Sequence, residues 1–380
     1  MGEISLRQAH RLILKKIHSS AEAIALPPHM ATGFVLAEDI FCSEDSPPHP
    51  KSKVDGFAVA SDRESYKLAG EIQLSQEPPE AIKEGYSYMV RTGSYLPSNV
   101  LRVIRKENVK AEGDLIYVLK KERGKNYLRK GEECKKGRLI FNKGYFLSEK
   151  EAAFLQQVGV EKVRVFRKPR VIVVPLGSEL VGQAVNPAGL LIKAFAERAG
   201  AEAKLKEPLE DEVDKISRSI TDLASSNDII ITIGGTGVSN KDLTESAVLS
   251  AGAVKVFKRV RVQPGRTTGL YLLRGKPILA LPGNVQAAVA SFFAFFFEVS
   301  KAEGFSLRPP SISGKLVKDI KVKQGWARGI YVKVKSSEGE IKISPIREVT
   351  HSSKFLIEAN GLLIAKKNIA KGSLARCYLI

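Results

Sequence analysis

Asp228-Ile-Ile-Ile-Thr-Ile-Gly-Gly-Thr-Gly-Val-Ser-Asn-Lys-Asp242 sets the architecture of this chain. Five apolar or β-branched residues in a row, bounded by Asp228 and a glycine cluster, read as a strand buried on both faces. The strand delivers the chain to Gly234-Gly235-Thr236-Gly237, where bare backbone lets a phosphate approach the N–H groups closely. Open α/β sheets bind their ligands at such carboxyl-end turns. Thr236 and Ser239 add hydroxyl donors, and Asp242 adds a carboxylate for a cation or a polar ligand edge. The turn has neither the GK[ST] of a nucleotide P-loop nor the GxGxxG spacing of a dinucleotide fold.

Two further segments repeat the pattern. Arg170-Val-Ile-Val-Val-Pro-Leu-Gly-Ser-Glu179 and Pro277-Ile-Leu-Ala-Leu-Pro282-Gly283-Asn284 are apolar strands that end in tight loops. Helices are predicted over 189–199, 210–225 and 285–299, so strand and helix alternate as in a parallel sheet covered on both faces. Three such loops from one sheet converge on one edge and form a pocket.

Outside this region the texture changes. An amphipathic helix is predicted over 3–25 (Ile4, Ala9, Leu12, Ile13, Ile17, Ala21) and a short helix over 31–40. Ser46-Pro-Pro-His-Pro50 then breaks regular structure. From Val54 to about Leu139 short β-type runs alternate with turns, and Ser148 with Glu151 forms a capping-box signature ahead of another helix. The last stretch, from Ser311, returns to short β runs and predicts a small barrel or sandwich. The expected organisation is a discontinuous helical and linker domain (1–45 and 140–167), an inserted mainly β domain (46–139), the α/β domain (168–305) and a C-terminal β domain (306–380).

Composition narrows the classes. The apolar stretch from Ala287 to Val299 is shorter than the roughly 20 residues a membrane span needs, and the N-terminus lacks a signal peptide's apolar block. A cytosolic protein with no membrane partner is expected. The three cysteines are odd in number, far apart and without a CxxC pair, so neither a disulfide framework nor a zinc site is expected. No histidine spacing suggests ligation, leaving carboxylates or the substrate for any metal chemistry. The net charge of +19 fits either nucleic acid or a polyanionic small substrate. The basic residues spread over the whole chain without a dense arm or aromatic patch, which disfavours nucleic acid. A Lys-rich, Gln-poor composition also hints at a thermophilic source.

The motifs, taken in order, resemble the molybdopterin molybdenumtransferases of the MoeA type, which include the E domain of gephyrin. The resemblance is carried by Pro47-Pro-His-Pro-Lys-Ser-Lys-Val-Asp55-Gly-Phe-Ala, Thr92-Gly-Ser-Tyr-Leu-Pro97, Gly131-Glu-Glu133, Pro175-Leu-Gly-Ser-Glu179-Leu, Gly234 to Asp242, Gln263-Pro-Gly-Arg266 and Leu281-Pro-Gly-Asn-Val285. It implies a four-domain homodimer that takes adenylated molybdopterin from a molybdopterin-adenylating protein. With Mg2+ assisting, the substrate is hydrolysed with AMP release and molybdate or tungstate is placed on the dithiolene. Carried over residue by residue, Glu133, Asp55 and Glu179 are the catalytic acids. Gly234, Gly235, Thr236, Gly237, Ser239, Asp242, Pro282, Gly283, Asn284 and Thr92 hold pterin and phosphate. Arg266 and Ser352 meet the oxyanion, and Asp242 and Glu179 meet the metal.

The chain departs from the family pattern at several acids. Glu133 stands where an Asp is usual, Ser178 replaces the Asp of STGDEL, Gln263 replaces the first Lys of KPGK, and Ala184-Val-Asn186 keeps only the Asn of its motif. A non-catalytic pterin- or nucleotide-binding paralogue is therefore the alternative reading.

Overall fold

The computed structural model describes residues 2–19, 21–182, 186–236, 243–305, 307, 309–337, 339–346 and 355–380. Two compact units emerge, one formed by 1–23 with 166–380 and the other by 24–165.

The chain opens on α1 (Leu6–Lys16), capped reciprocally by Ser5 and Gln8 and closed by Lys15 and Lys16 in its last turn. This helix is much shorter than the expected 3–25. Ile17 already has extended backbone, and residues Ala23–Leu26 form a strand. Of the short helix feeding an extended stretch expected over 31–40, the helix is absent and the extended part is present. A 3-10 turn at Pro28–Met30 leads instead to strand pieces at Val35–Leu36 and Ile40–Phe41. The β-branched Val35 and Ile40 fit a pleated ladder better than a helix turn.

In the 24–165 unit, a six-stranded mixed sheet spans residues 56–118, its central strands 65–72 and 86–90 paired parallel. Its core is Ala58, Ile72, Val90, Leu96 and Val103, contributed by four of its strands and the loop at Leu96. A second core (Leu36, Leu147, Leu155, Val163, Val165) lies under α2 (Glu149–Gln157). The Ser148 N–H donates to Glu151 at 3.0 Å, and the hydroxyl donates to the same carboxylate. Those bonds hold the Glu151 carboxyl down to about 2. Cys42 and Cys134, far apart in sequence, pack together with Val158. The insertion returns on itself at its base and so brings two distant positions side by side.

In the other unit, β1 (Arg170–Pro175), β2 (Glu202–Leu205), β3 (Ile229–Ile233), β4 (Val254–Lys258), β5 (Gly269–Leu273) and β6 (Lys276–Leu281) form one sheet in the order 2-1-3-6-5-4. β2, β1, β3 and β6 run parallel, with Val173 opposite Ile231 and Ile231 opposite Leu279. β5 and β4 add an antiparallel edge. α3 (Pro187–Arg198) and α6 (Val285–Ala302) cover one face, and α4 (Val213–Ser226) and α5 (Leu243–Ser250) the other. α6 is long and apolar enough to cross a membrane by length and composition, but it is a core helix with two thirds of its apolar window buried. Phe292 stacks on Phe296 at 4.5 Å, and α1 inserts Leu6, Ala9 and Ile13 into the same core.

β7 (Ser311–Leu316), β8 (Ala327–Ser337), β9 (Glu340–Pro345), β10 (Gly361–Ala365) and β11 (Leu374–Leu379) pair in the ring 8-9-7-11-10-8, a closed five-stranded barrel. Closure leaves the barrel without a free edge. The fold class is therefore the expected one: a three-layer α/β domain, a mainly β domain and a C-terminal barrel.

Candidate functional site

The loops after β1, β3 and β6 meet at the carboxyl edge of the parallel sheet. They close on a cavity of about 540 Å³ lined by Gly177, Glu179, Gly234, Gly235, Thr236, Pro282 and Gly283, with Asn186, Asp211 and Thr267 completing the wall. That size suits a small organic ligand.

Glycine makes the meeting possible. Gly234 has φ +105°, and a Cβ there would lie 2.4 Å from the Leu176 carbonyl oxygen. A Cβ on Gly235 would lie 2.4 Å from the Thr244 hydroxyl, which donates to the Gly234 carbonyl at 2.9 Å. The β1 and β3 loops thus touch backbone to backbone at Gly234, and Gly235 packs on Thr244 of α5, so a side chain at either position would force its neighbour away.

Two helices begin at the cavity wall. Asn186 accepts from the Gly189 N–H at 2.7 Å and caps α3. Asn284 accepts from the Ala287 N–H at 3.2 Å and caps α6. The Asn284 amide oxygen is thereby committed to its own helix. Helix N-termini carry partial positive charge and favour an anion nearby. Against this field stand two carboxylates, Glu179 and Asp211. The Glu179 carboxylate folds back over Gly177, 2.6 Å from where a Cβ would sit. Asp211 is tied to Ser178 reciprocally: its N–H donates to the hydroxyl at 2.9 Å, and the Ser178 N–H donates to its carboxylate at 3.4 Å. Thr236 and Thr267 share a hydroxyl hydrogen bond of 3.1 Å across the wall.

Other expected residues fall elsewhere. Arg266, beside Thr267, sends its guanidinium to Glu3 at 2.5 Å and does not line the cavity. Gly237, Ser239, Asp242 and Ser352 lie outside the described residues. In the 24–165 unit, Asp55 accepts from both the N–H and the hydroxyl of Thr92, at 2.7 and 3.0 Å. Those two bonds hold its carboxyl below the usual aspartate range. Glu133 accepts from Ser46 Oγ at 3.1 Å and Gln157 Nε2 at 2.8 Å, and borders a second cavity of about 840 Å³ within that unit. Asp211 is the cavity acid that the sequence left unmarked, while Thr267 belongs to the Gln263-Pro-Gly-Arg266-Thr-Thr motif. Asp211 closes the turn after β2, a strand-end acid ahead of a helix, and that placement is the signal that could have found it.

A parallel sheet with glycine loops at its carboxyl edge, helix N-termini around the pocket and separate β modules defines a multidomain α/β protein with a pocket at its sheet edge. Residues 4–159 match the family described as the MoeA N-terminal region (domain I and II), and residues 172–301 match that described as a probable molybdopterin binding domain. A molybdopterin molybdenumtransferase from Staphylococcus epidermidis is 28% identical over 363 residues, covering 90% of this chain and 86% of the relative. One from Staphylococcus aureus is 26% identical over 362 residues, with the same coverages. The crystal structure of a molybdopterin biosynthesis MoeA protein from Pyrococcus horikosii superposes with a TM-score of 0.81 at 25% identity, covering 100% of this chain and 99% of that one. The chain belongs to the MoeA-type molybdopterin molybdenumtransferase family of enzymes.

Proposed function

We propose that this protein catalyses the metal-insertion step of molybdenum cofactor biosynthesis, hydrolysing adenylated molybdopterin with release of AMP and placing molybdate or tungstate on the dithiolene. The observation that carries the reading is the cavity where three glycine loops, two helix N-termini and two carboxylates converge. The loop N–H groups and the starts of α3 and α6 suit the terminal phosphate of a pterin. Thr236 and Thr267 orient polar edges by hydroxyl hydrogen bonds. The net charge of +19 draws both anionic substrates toward the protein.

The donor set fits Mg2+. Magnesium is held by one or two carboxylates together with substrate phosphates, and Glu179 and Asp211 supply hard oxygens at the same wall. When bound, the ion screens the diphosphate and polarises the phosphoryl group. Glu133 acts as a proton acceptor, its carboxylate fixed by Ser46 and Gln157. The working form is a cytoplasmic homodimer supplied by a molybdopterin-adenylating protein.

The test is a turnover assay with adenylated molybdopterin, Mg2+ and either molybdate or tungstate, following AMP and active cofactor. Oxyanion-dependent AMP release supports the enzyme and identifies the preferred metal. Glu133→Gln should abolish that release while leaving pterin affinity unchanged. Tight pterin binding by the unaltered protein with no AMP release would establish the binding paralogue instead.

A further inference from the structure

The chain leaves and re-enters the base of the inserted β domain through two segments held side by side. Cys42 N–H donates to the Arg138 carbonyl at 2.9 Å, and the Gly137 N–H returns to the Cys42 carbonyl at 2.8 Å. A few residues on, Ser46 and Cys134 exchange backbone bonds of 2.7 and 3.0 Å. The chain bends between these pairs, and both cysteine side chains turn into one small apolar cluster with Val158, only 2% and 3% exposed. The two cysteines share that cluster, and Cys42 Sγ donates to the Glu44 carbonyl at 3.0 Å. Cys377, the third cysteine, is buried in the barrel.

We propose that Cys42 and Cys134 form an intramolecular disulfide that staples the base of the insertion spanning residues 43–133. Cysteine side chains packed into one cluster on hydrogen-bonded backbone segments need little movement to reach bonding distance, the first requirement for a disulfide. The oxidant is a small-molecule disulfide such as oxidised glutathione. One cysteine, as thiolate, attacks it, forming a mixed disulfide and expelling one glutathione thiolate. The second cysteine loses its proton and attacks the protein sulfur of that mixed disulfide, expelling the second. Two protein thiols are oxidised and one glutathione disulfide is reduced to two thiols.

Burial and the neighbouring thiol push the Cys42 thiol up to about 11. Exchange on the folded protein is therefore slow at neutral pH and accelerates as pH rises. Glu133 directly precedes Cys134, and Ser46, which holds its carboxylate, is backbone-paired to Cys134. The staple thus fixes the loop that presents Glu133.

The full chain is incubated with excess oxidised glutathione at mildly alkaline pH, and in parallel refolded from denaturant in the same buffer. Free thiols are then alkylated under denaturing conditions and the digest is mapped by mass spectrometry without reduction. Free thiols should fall from three to one, with a peptide linking positions 42 and 134 and with Cys377 alkylated. The melting temperature of the oxidised protein should rise by roughly 5–10 °C and revert on reduction. Cys377→Ser should keep the link and the shift, and Cys42→Ala should lose both. Three alkylatable thiols after both treatments would overturn the proposal. So would glutathione adducts without the internal link, or a link involving Cys377.

Discussion

Asp228 offers the sharpest test of how the pocket's central strand is anchored. Its carboxylate is fully buried at the head of β3 and accepts from Arg167 at 2.6 and 2.9 Å, from the Arg170 N–H at 2.8 Å and from Lys276 at 3.4 Å. Burial pushes its pKa up, but the Arg167 fork, the Arg170 N–H and the Lys276 charge more than offset this, so the carboxyl lies below the ordinary aspartate range. Asp228→Asn keeps the shape, but it turns one acceptor oxygen into an N–H donor facing the guanidinium. Removing one partner from a buried pair costs about 3–5 kcal/mol. Two charge-assisted bonds at roughly 1.5–3 kcal/mol each give a similar figure. Urea unfolding followed by circular dichroism at neutral pH should show that loss in the unit containing β3. Because the folded pKa is depressed, this stabilisation is present above the unfolded aspartate value of about 3.9 and fades as pH falls through the lower folded value. The gap between the parent and Asp228→Asn should therefore close in acid. A loss below about 1 kcal/mol, or a gap that stays constant with pH, would refute the reasoning.

Gly234→Ala should force the β1 and β3 loops apart. The positive φ alone costs roughly 1–3 kcal/mol, and calorimetry should show affinity for a phosphorylated pterin reduced by about tenfold or more. Phe292→Ala removes a ring that is wholly buried between α3 and the sheet, so thermal unfolding should register a loss of about 3–5 kcal/mol. Thr92→Ala deletes one of the two hydrogen bonds on Asp55, and carbon-detected NMR titration should place the Asp55 carboxyl closer to the usual aspartate range.

The α/β domain is legible in the sequence because Val171–Val174, Ile229–Ile233 and Ile278–Leu281 are apolar runs that only a sheet covered on both faces can bury. The glycines that follow them announce loops of unusual backbone, and Gly234 and Gly235 do adopt positive φ. Segments governed by weaker signals are less readable. The apolar spacing of Ile17 and Ala21 continues that of α1, yet the helix ends at Lys16, where a β-branched residue followed by His18 and Ser19 favours extended chain. The contact of Cys42 with Cys134 has no local signature at all, because it depends on where the insertion closes. The cavity beside Glu133 is equally hidden: Glu38, Asp45 and Glu161 in its lining come from separate segments, each unremarkable alone. Asp211 escaped notice for a related reason, since its position follows from the turn after β2 rather than from a motif.

The placement of α1 in the α/β core has a consequence for biosynthesis. Its apolar face packs against α6, yet about 270 residues of chain separate Lys16 from Val285. At ribosomal speeds of roughly 5–20 residues per second, Leu6, Ala9 and Ile13 wait some 15–50 s for that partner. Throughout that interval the apolar stripe of α1 has no α6 to cover it, so this part of the core closes only once the last core helix has been made.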